Sequence, residues 1–154
     1  MLHKIYCLNS SFNRYFGSYD FHNLYKELLN FCTVDLSAFY FDIRKDTLYC
    51  DPLSSQKRKS TLLVLNIILQ CLLKWFAPIL SFTTEEIYQL VSKKKNSIHL
   101  ENFLNVPKKF ENLKLNEKWS QLLKIRDICN LSIEEKRASK ETVSYTHLTL
   151  PTKC

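Results

Sequence analysis

Apolar side chains recur at helical spacing along most of the chain. Over residues 2–16 they fall on one rough stripe, formed by Leu2, Ile5, Tyr6, Phe12 and Phe16. Gly17 follows at the position where a helix would end. A second helix is predicted from Ser18 or Asp20 to about Lys45. Its expected inward positions are Phe21, Leu24, Leu28, Cys32 and Phe39.

The stretch "CDPLSS" interrupts this pattern, because Pro52 cannot continue a helix and Ser54 or Ser55 can cap the next one. The following segment, "TLLVLNIILQCLLKWFAPIL" at 61–80, is long enough to span a membrane. Three polar residues nevertheless recur at every fourth position and form one stripe: Asn66, Gln70 and Lys74. We therefore expect a core helix of a bundle and no membrane contact.

Two further helices are predicted beyond Pro78. Thr83 can cap the first of them, with Glu86 reaching back in a capping box, and this helix should run to about Lys93. Residues 94–115 are rich in lysine and asparagine and are expected to form a surface excursion. The last helix should start after Asn116 and place six residues on one side: Trp119, Leu122, Leu123, Arg126, Cys129 and Ile133. This succession predicts an all-α, antiparallel helix bundle.

The amino-acid composition excludes some kinds of binding site. The chain of 154 residues has the size of one domain, and 45% of it is apolar, so it can bury a core. One glycine excludes the glycine-rich loops that bind nucleotide phosphates. Six cysteines without a Cys-x-x-Cys pair suit free thiols in a reducing, cytoplasmic setting better than disulfides or a metal site.

The net charge of +7 is unevenly distributed. Residues 1–54 carry five Lys or Arg against six Asp or Glu, whereas residues 55–141 carry sixteen against nine. A basic half of this kind favours binding to polyanions such as nucleic acid. The alternative for each single cluster is a solvated helix surface.

Five aromatic rings and four aspartates crowd into residues 30–51. Asp35, Asp42 and Asp46 would lie near one edge of a helix, where carboxylates can act in catalysis or hold a metal. Because Arg44 and Lys45 can neutralise them and no histidine lies nearby, ion pairing is the favoured interpretation. The four scattered histidines are expected to be structural, and Trp75 and Trp119 are expected to be core rings.

Several stretches resemble the anticodon-binding helical domain of isoleucyl-tRNA synthetase. They are "DFHNLYKELLNFCTVDLSAFYFDIRKDTLYCD" (20–51), "KRKSTLLVLNIILQCLLKWFAPILSFTTEEIY" (57–88) and "SIHLENF" (97–103). The segment "WSQLLKIRDICNLSIEEKRASKE" (119–141) resembles the helix that follows in that family. The resemblance covers about residues 1–141, with "DLSAFYFDIRKD" and the "WFAPILSFTTEE" helix end as its most specific parts.

The resemblance implies a role in protein synthesis. Members of that family charge tRNA-Ile with isoleucine using ATP, and this bundle docks the anticodon stem. Neither class I catalytic signature, His-x-Gly-His or Lys-Met-Ser-Lys-Ser, occurs here, so we expect a non-catalytic fragment whose first helix precedes Met1. No cofactor is expected in this segment, although zinc could bind in a C-terminal extension. The parent enzyme is expected to be cytoplasmic and monomeric.

The expected organisation follows from the same resemblance. Residues 1–93 would form the bundle, 94–115 an irregular connection and 116–141 the following helix. Residues 142–154, "TVSYTHLTLPTKC", depart from the family pattern and look like translated sequencing-adapter read-through, so this tail is expected to be non-native.

Charge alone suggests which side chains contact tRNA phosphates. We expect them to be Lys57, Arg58, Lys59, Arg126, Arg137 and Lys140. The chain contains no catalytic residue and no metal ligand that the resemblance identifies. Two alternatives stay open: the equivalent bundle of a valyl- or leucyl-tRNA synthetase, and a free-standing helical adaptor that binds protein.

Overall fold

The computed structural model describes residues 1–92 and 96–138. Within these ranges every regular element is helical, and no strand is present. The prediction of an all-α bundle is confirmed. The chain divides into two units, Met1–Glu111 and Asn112–Cys154.

The elements follow one another with short connections. In chain order they are α1 (Leu2–Gly17), α2 (Phe21–Asn30), a π-helix (Phe31–Phe41), α3 (Asp42–Tyr49), α4 (Gln56–Phe76), α5 (Ser81–Val91) and α6 (Leu113–Ala138). Two single 3₁₀ turns, Ile98–Leu100 and Lys108–Phe110, lie between α5 and α6.

Helix α1 ends one residue later than expected, and its left-handed residue is not the glycine. Tyr19 has φ 56°. The Asp20 amide donates to the Tyr15 carbonyl at 2.9 Å and the Tyr19 amide to the Phe16 carbonyl at 3.2 Å. These two bonds define a Schellman motif, in which glycine usually takes the position held here by Tyr19. The Asp20 carboxylate then accepts from the Asn23 amide and caps α2, so the helix starts after Asp20, one of the two expected starting points.

The π-helix changes which residues face the core. The buried positions are Leu24, Leu28, Phe31, Leu36 and Tyr40. The expected set was wrong at Phe21 and beyond Leu28. Beyond Leu28 the reason is that a π-helix makes a wider turn and spaces its inward residues by five, as from Phe31 to Leu36. Phe21 is exposed, and Cys32 and Phe39 are half-buried. The chain stays helical to Tyr49, four residues beyond the expected end.

Helix α4 supplies the centre of the first unit. Ile68, Cys71 and Trp75 lie in one apolar cluster with side chains of α1, α2 and the π-helix. The buried Trp75 indole donates to the Oδ1 of buried Asn9 on α1 at 3.2 Å. By length and composition, α4 is the one helix of the described ranges that could cross a membrane. Core helices share that composition, and the buried face of α4 supports the core interpretation.

Helix α5 starts earlier than the capping-box pattern indicated. It begins at Ser81 and places Thr83 and Glu86 inside the helix, so that expectation was wrong. The neighbouring Glu85 makes the important contacts instead. Its carboxylate accepts from the Ser97 hydroxyl at 2.8 Å and from the Ile98 amide at 2.9 Å.

The segment after α5 packs on the bundle at several points. Ile98 and Val106 are buried, and the Phe103 ring lies 5.1 Å from that of Phe12 and 4.9 Å from that of Phe16. Lys74 of the polar stripe on α4 donates to the Asn102 carbonyl at 2.7 Å. These contacts attach a segment of little periodicity to the core.

The described part of the second unit is α6. It begins at Leu113, three residues before the expected start, because the Asn112 side chain accepts from the Leu115 amide at 2.9 Å. Its apolar residues point in several directions around the helix. Five of them are more than half exposed: Leu113, Leu122, Ile125, Ile128 and Leu131.

Candidate nucleic-acid interface

The first turn of α4 carries the densest basic cluster of the described residues, and local hydrogen bonds fix its shape. Ser55 caps the helix, its hydroxyl oxygen lying 3.5 Å from the Arg58 amide. The same hydroxyl donates to the Asp51 carboxylate at 3.0 Å. Of the two expected caps, Ser54 and Ser55, it is therefore Ser55 that caps α4, and this cap ties the start of the helix to the loop before it.

Arg58 faces this loop instead of the solvent. Its Nη1 donates to the Asp51 carbonyl at 2.8 Å, and its Nε is buried without a hydrogen-bond partner. Because the guanidinium is already hydrogen-bonded to the loop, Arg58 has a structural role in addition to any contact with a ligand. The sequence could not reveal this role, since it depends on how the loop bends.

Lys57 and Lys59 are both exposed. Within residues 1–92 and 96–138 neither ammonium group has a hydrogen-bond or ion-pair partner. The amino end of a helix of 21 residues adds a partial positive charge beside them. We call Lys57, Lys59 and this helix end the α4 basic turn.

Three other expected contact residues lie in the second unit. Arg126 is half-buried, and Arg137 pairs with Glu134 at 2.8 Å. Lys140 lies outside the described residues. That all six side chains contact phosphate stays a prediction.

Two of the four aspartates in residues 30–51 form ion pairs. Asp35 of the π-helix pairs with Lys4 of α1, and Asp42 pairs with Lys45 at 3.0 Å. The Arg44 guanidinium lies 5.9 Å from the centre of the Tyr40 ring. The contacts of Asp35 and Asp42 agree with the structural interpretation. The partner Lys4 was missed, because the pair joins residues far apart in sequence.

Two expectations about tryptophan had different outcomes. Trp75 is 1% exposed and is a core ring, as expected. Trp119 is 42% exposed on α6, so the expectation of a core ring was wrong for this residue. In the part of the chain that is described, no three His, Cys, Asp or Glu side chains are grouped so that they could hold a metal ion.

Sequence reasoning missed a groove of about 500 Å³ on the outer side of α2. It is lined by Tyr15, Asn23, Lys26, Glu27, Leu29, Asn30 and Thr33, and we call it the α2 groove. Its signal was present in the sequence, since residues 23, 26, 27 and 30 share one helix face by their spacing. In the sequence, this spacing looks like that of any solvent-exposed helix face. The groove forms only because Tyr15 of α1 lies beside that face.

Known proteins resemble the chain over most of its length. The family described as "Anticodon-binding domain of tRNA ligase" matches residues 1–147. The chain is 65% identical over 150 residues to an isoleucine–tRNA ligase of Pelagibacter ubique, a match over 97% of the chain and 17% of that protein. It is 42% identical over 140 residues to an isoleucine–tRNA ligase of Bartonella quintana, covering 91% of the chain and 14% of that protein.

These matches also limit what the chain can represent. It spans about one sixth of the length of the curated relatives. No solved structure gives a significant match. The family match includes residues 142–147, part of the tail expected to be non-native. That expectation falls outside the described residues and stays a prediction. The match from residue 1 to residue 147 shows that the chain belongs to the family of anticodon-binding domains of tRNA ligases.

Proposed function

We propose that this chain is the tRNA-docking part of an isoleucine–tRNA ligase and that it holds the anticodon stem of tRNA-Ile. The observation that carries the proposal is the α4 basic turn within a domain of the anticodon-binding family. Lys57 and Lys59 are exposed there and have no partner within the described ranges, so both charges are available to a polyanion.

The chemistry of the turn suits phosphate groups. Lysine ammonium groups and the amino end of a helix attract phosphate oxygens without reading the base sequence. Contacts of this kind set the position of the RNA on the protein. They also release counterions, so the affinity should fall steeply as salt rises.

The charging reaction belongs to the rest of the ligase under this proposal. ATP would bind there, and a C-terminal extension of the ligase could hold zinc. The chain would contribute by positioning tRNA relative to that distant centre. We place the ligase in the cytoplasm and expect it to act as a monomer.

The similarity supports isoleucine over the alternatives. Both relatives compared above are named as isoleucine–tRNA ligases. This favours tRNA-Ile over the substrates of a valyl- or leucyl-tRNA synthetase. A free-standing adaptor that binds protein has no comparable support.

Binding of tRNA-Ile transcript to the purified chain tests the proposal. Fluorescence anisotropy would compare tRNA-Ile with a DNA duplex and with bovine serum albumin as an acidic protein. Replacing Lys57 and Lys59 together by glutamine should weaken tRNA binding about tenfold, because two phosphate contacts are lost.

The matched control is Lys45→Gln on α3. It also removes a positive charge, but Asp42 already neutralises that charge at 3.0 Å, so tRNA affinity should change little. Equal losses in the double variant and in the control would contradict docking at the α4 basic turn.

A further inference from the structure

A histidine and a cysteine lie side by side on the outer side of α1. His3 and Cys7 are one helical turn apart, and the Cys7 Sγ lies 3.6 Å from the His3 Nε2. Cys7 is exposed and His3 is half-buried, whereas Ile5 and Leu8 on the opposite side of the helix are buried in the core. The pair is therefore accessible to a ligand from solvent.

The separation of these two atoms matches that of two ligands of one metal ion. Zinc binds cysteine sulfur at about 2.3 Å and histidine nitrogen at about 2.0–2.1 Å, in tetrahedral geometry. These bond lengths place the sulfur and the nitrogen about 3.5 Å apart. The 3.6 Å between Cys7 and His3 is close to this value, so the helix need not move to accept an ion.

A carboxylate adds a negative charge beside the pair. Glu111 follows the 3₁₀ turn Lys108–Phe110, which packs on α1. Burial, and after it the charge of Glu111, raises the pKa of the Cys7 thiol. A thiol held in its neutral form is a poor nucleophile, which argues against covalent catalysis by the pair. The same carboxylate attracts a cation, and an ion that binds the sulfur would displace the thiol proton to the solvent.

We propose that His3 and Cys7 together bind one divalent cation with the ligand preference of zinc. Thiolate sulfur and imidazole nitrogen suit zinc, whereas calcium and magnesium prefer oxygen ligands. Within residues 1–92 and 96–138 no third His, Cys, Asp or Glu side chain completes a metal-binding group, so water would fill the two other positions of a tetrahedral ion. The inference does not rest on the proposed function, because the ion needs no RNA.

An ion at this site would stabilise the amino end of α1. It would link two side chains one turn apart, and Ile5 on the reverse of that turn is fully buried. Since the helix fixes the distance between the two ligands only in the folded state, binding should stabilise the folded chain by mass action. The consequence of the site is a helix whose amino end is more stable when the ion is bound.

The test measures how far zinc protects each cysteine from alkylation. The purified chain would react with iodoacetamide in the presence and absence of zinc chloride, and peptide mass spectrometry would follow Cys7 and Cys129 separately. Cys129 is the control within the same chain, because it is also exposed but has Ile125 where Cys7 has His3. At about ten times the dissociation constant, about one site in ten stays empty, so zinc should slow the reaction of Cys7 about tenfold. The rate at Cys129 should not change.

Two variants decide whether both ligands are needed. His3→Ala should abolish the protection of Cys7, because one exposed thiol alone offers a single ligand and no chelate. His22→Ala is the matched control, since it removes an exposed histidine of α2, and it should leave the protection unchanged. Circular dichroism would verify that each variant keeps its helices.

Two results would overturn the inference. One is zinc slowing the alkylation of Cys7 no more than that of Cys129. The other is zinc protecting Cys7 in His3→Ala as well as in the unchanged chain, which would mean that the histidine is not a ligand. Neither result bears on tRNA docking, which the salt dependence of tRNA binding tests separately.

Discussion

The hydrogen bond between Trp75 and Asn9 should be worth a measurable part of the stability of the first unit. Both side chains are buried, Trp75 at 1% and Asn9 at 8% exposure, and they join α4 to α1 across 66 residues of sequence. The informative perturbations are Asn9→Ala, Trp75→Phe and the two combined. Each single change removes one partner and leaves the other buried without a hydrogen bond.

The expected magnitudes follow from burial. A hydrogen-bonding group left unpaired in a core costs about 1–3 kcal/mol, so Asn9→Ala should lower the free energy of unfolding by that amount. Trp75→Phe also removes ring volume from a packed cluster and should cost about 2–4 kcal/mol. In the double variant, neither side chain of this pair is left buried without a hydrogen bond. Its cost should therefore be smaller than the sum of the single costs by about 1–2 kcal/mol.

The assay is urea unfolding of the whole chain, followed by far-ultraviolet circular dichroism. Amide hydrogen exchange in α1 and α4 would give a local value for the same unit. Additive costs, with a coupling below about 0.3 kcal/mol, would refute the conclusion that this bond fixes α1 on α4. Asn66→Ala, at an exposed position of α4, is the control and should change the free energy of unfolding little.

Three further predictions concern other parts of the described chain. Tyr19→Gly should be more stable than Tyr19→Ala by about 1 kcal/mol in thermal unfolding, because only glycine adopts the left-handed backbone without strain; equal stability would argue against that backbone. Hydrogen bonds, first from the Ser97 hydroxyl, hold the pKa of Glu85 below its ordinary 4.5. The stabilisation by ionised Glu85 is therefore present above pH 4.5 and is lost as the pH falls through the lower pKa of the folded chain. Glu85→Gln should flatten this part of the pH–stability curve, and an unchanged slope would contradict this role of Glu85. Burial raises the pKa of Cys71 to about 11. Iodoacetamide should therefore modify exposed Cys50 in the native chain but Cys71 only after unfolding, as measured by peptide mass spectrometry. Rapid labelling of Cys71 in the native chain would mean that the core opens.

Features governed by near neighbours in sequence were predictable. Asp20 and Ser55 cap helices where the sequence places them, because a cap depends on residues only three positions away. The helical type of α4 followed from its apolar spacing and its polar stripe. These signals need no tertiary structure.

Features governed by distant partners were not predictable. The π-helix moves the inward positions to Phe31, Leu36 and Tyr40, although an ordinary helical period suits the same sequence. The pairing of Glu85 with Ser97 depends on how the chain returns after α5.

The candidate interface also combines features that the sequence predicts with features that it does not. Charge in the sequence indicated the basic cluster at the start of α4, and Lys57 and Lys59 are indeed exposed there. Composition could not distinguish Arg58, whose guanidinium bonds to the Asp51 carbonyl. The α2 groove depends on Tyr15 meeting the face of another helix, and no local pattern encodes that meeting.

The most direct test of the central claim is the affinity of the purified chain for tRNA-Ile as a function of salt. Docking through phosphate contacts predicts that the logarithm of the binding constant falls linearly with the logarithm of salt between about 50 and 200 mM, with a slope of about −0.9 for each contact. Replacing Lys57 and Lys59 by glutamine should make that slope shallower by about 2. A binding constant that does not change with salt, or no binding to tRNA-Ile at all, would contradict the account.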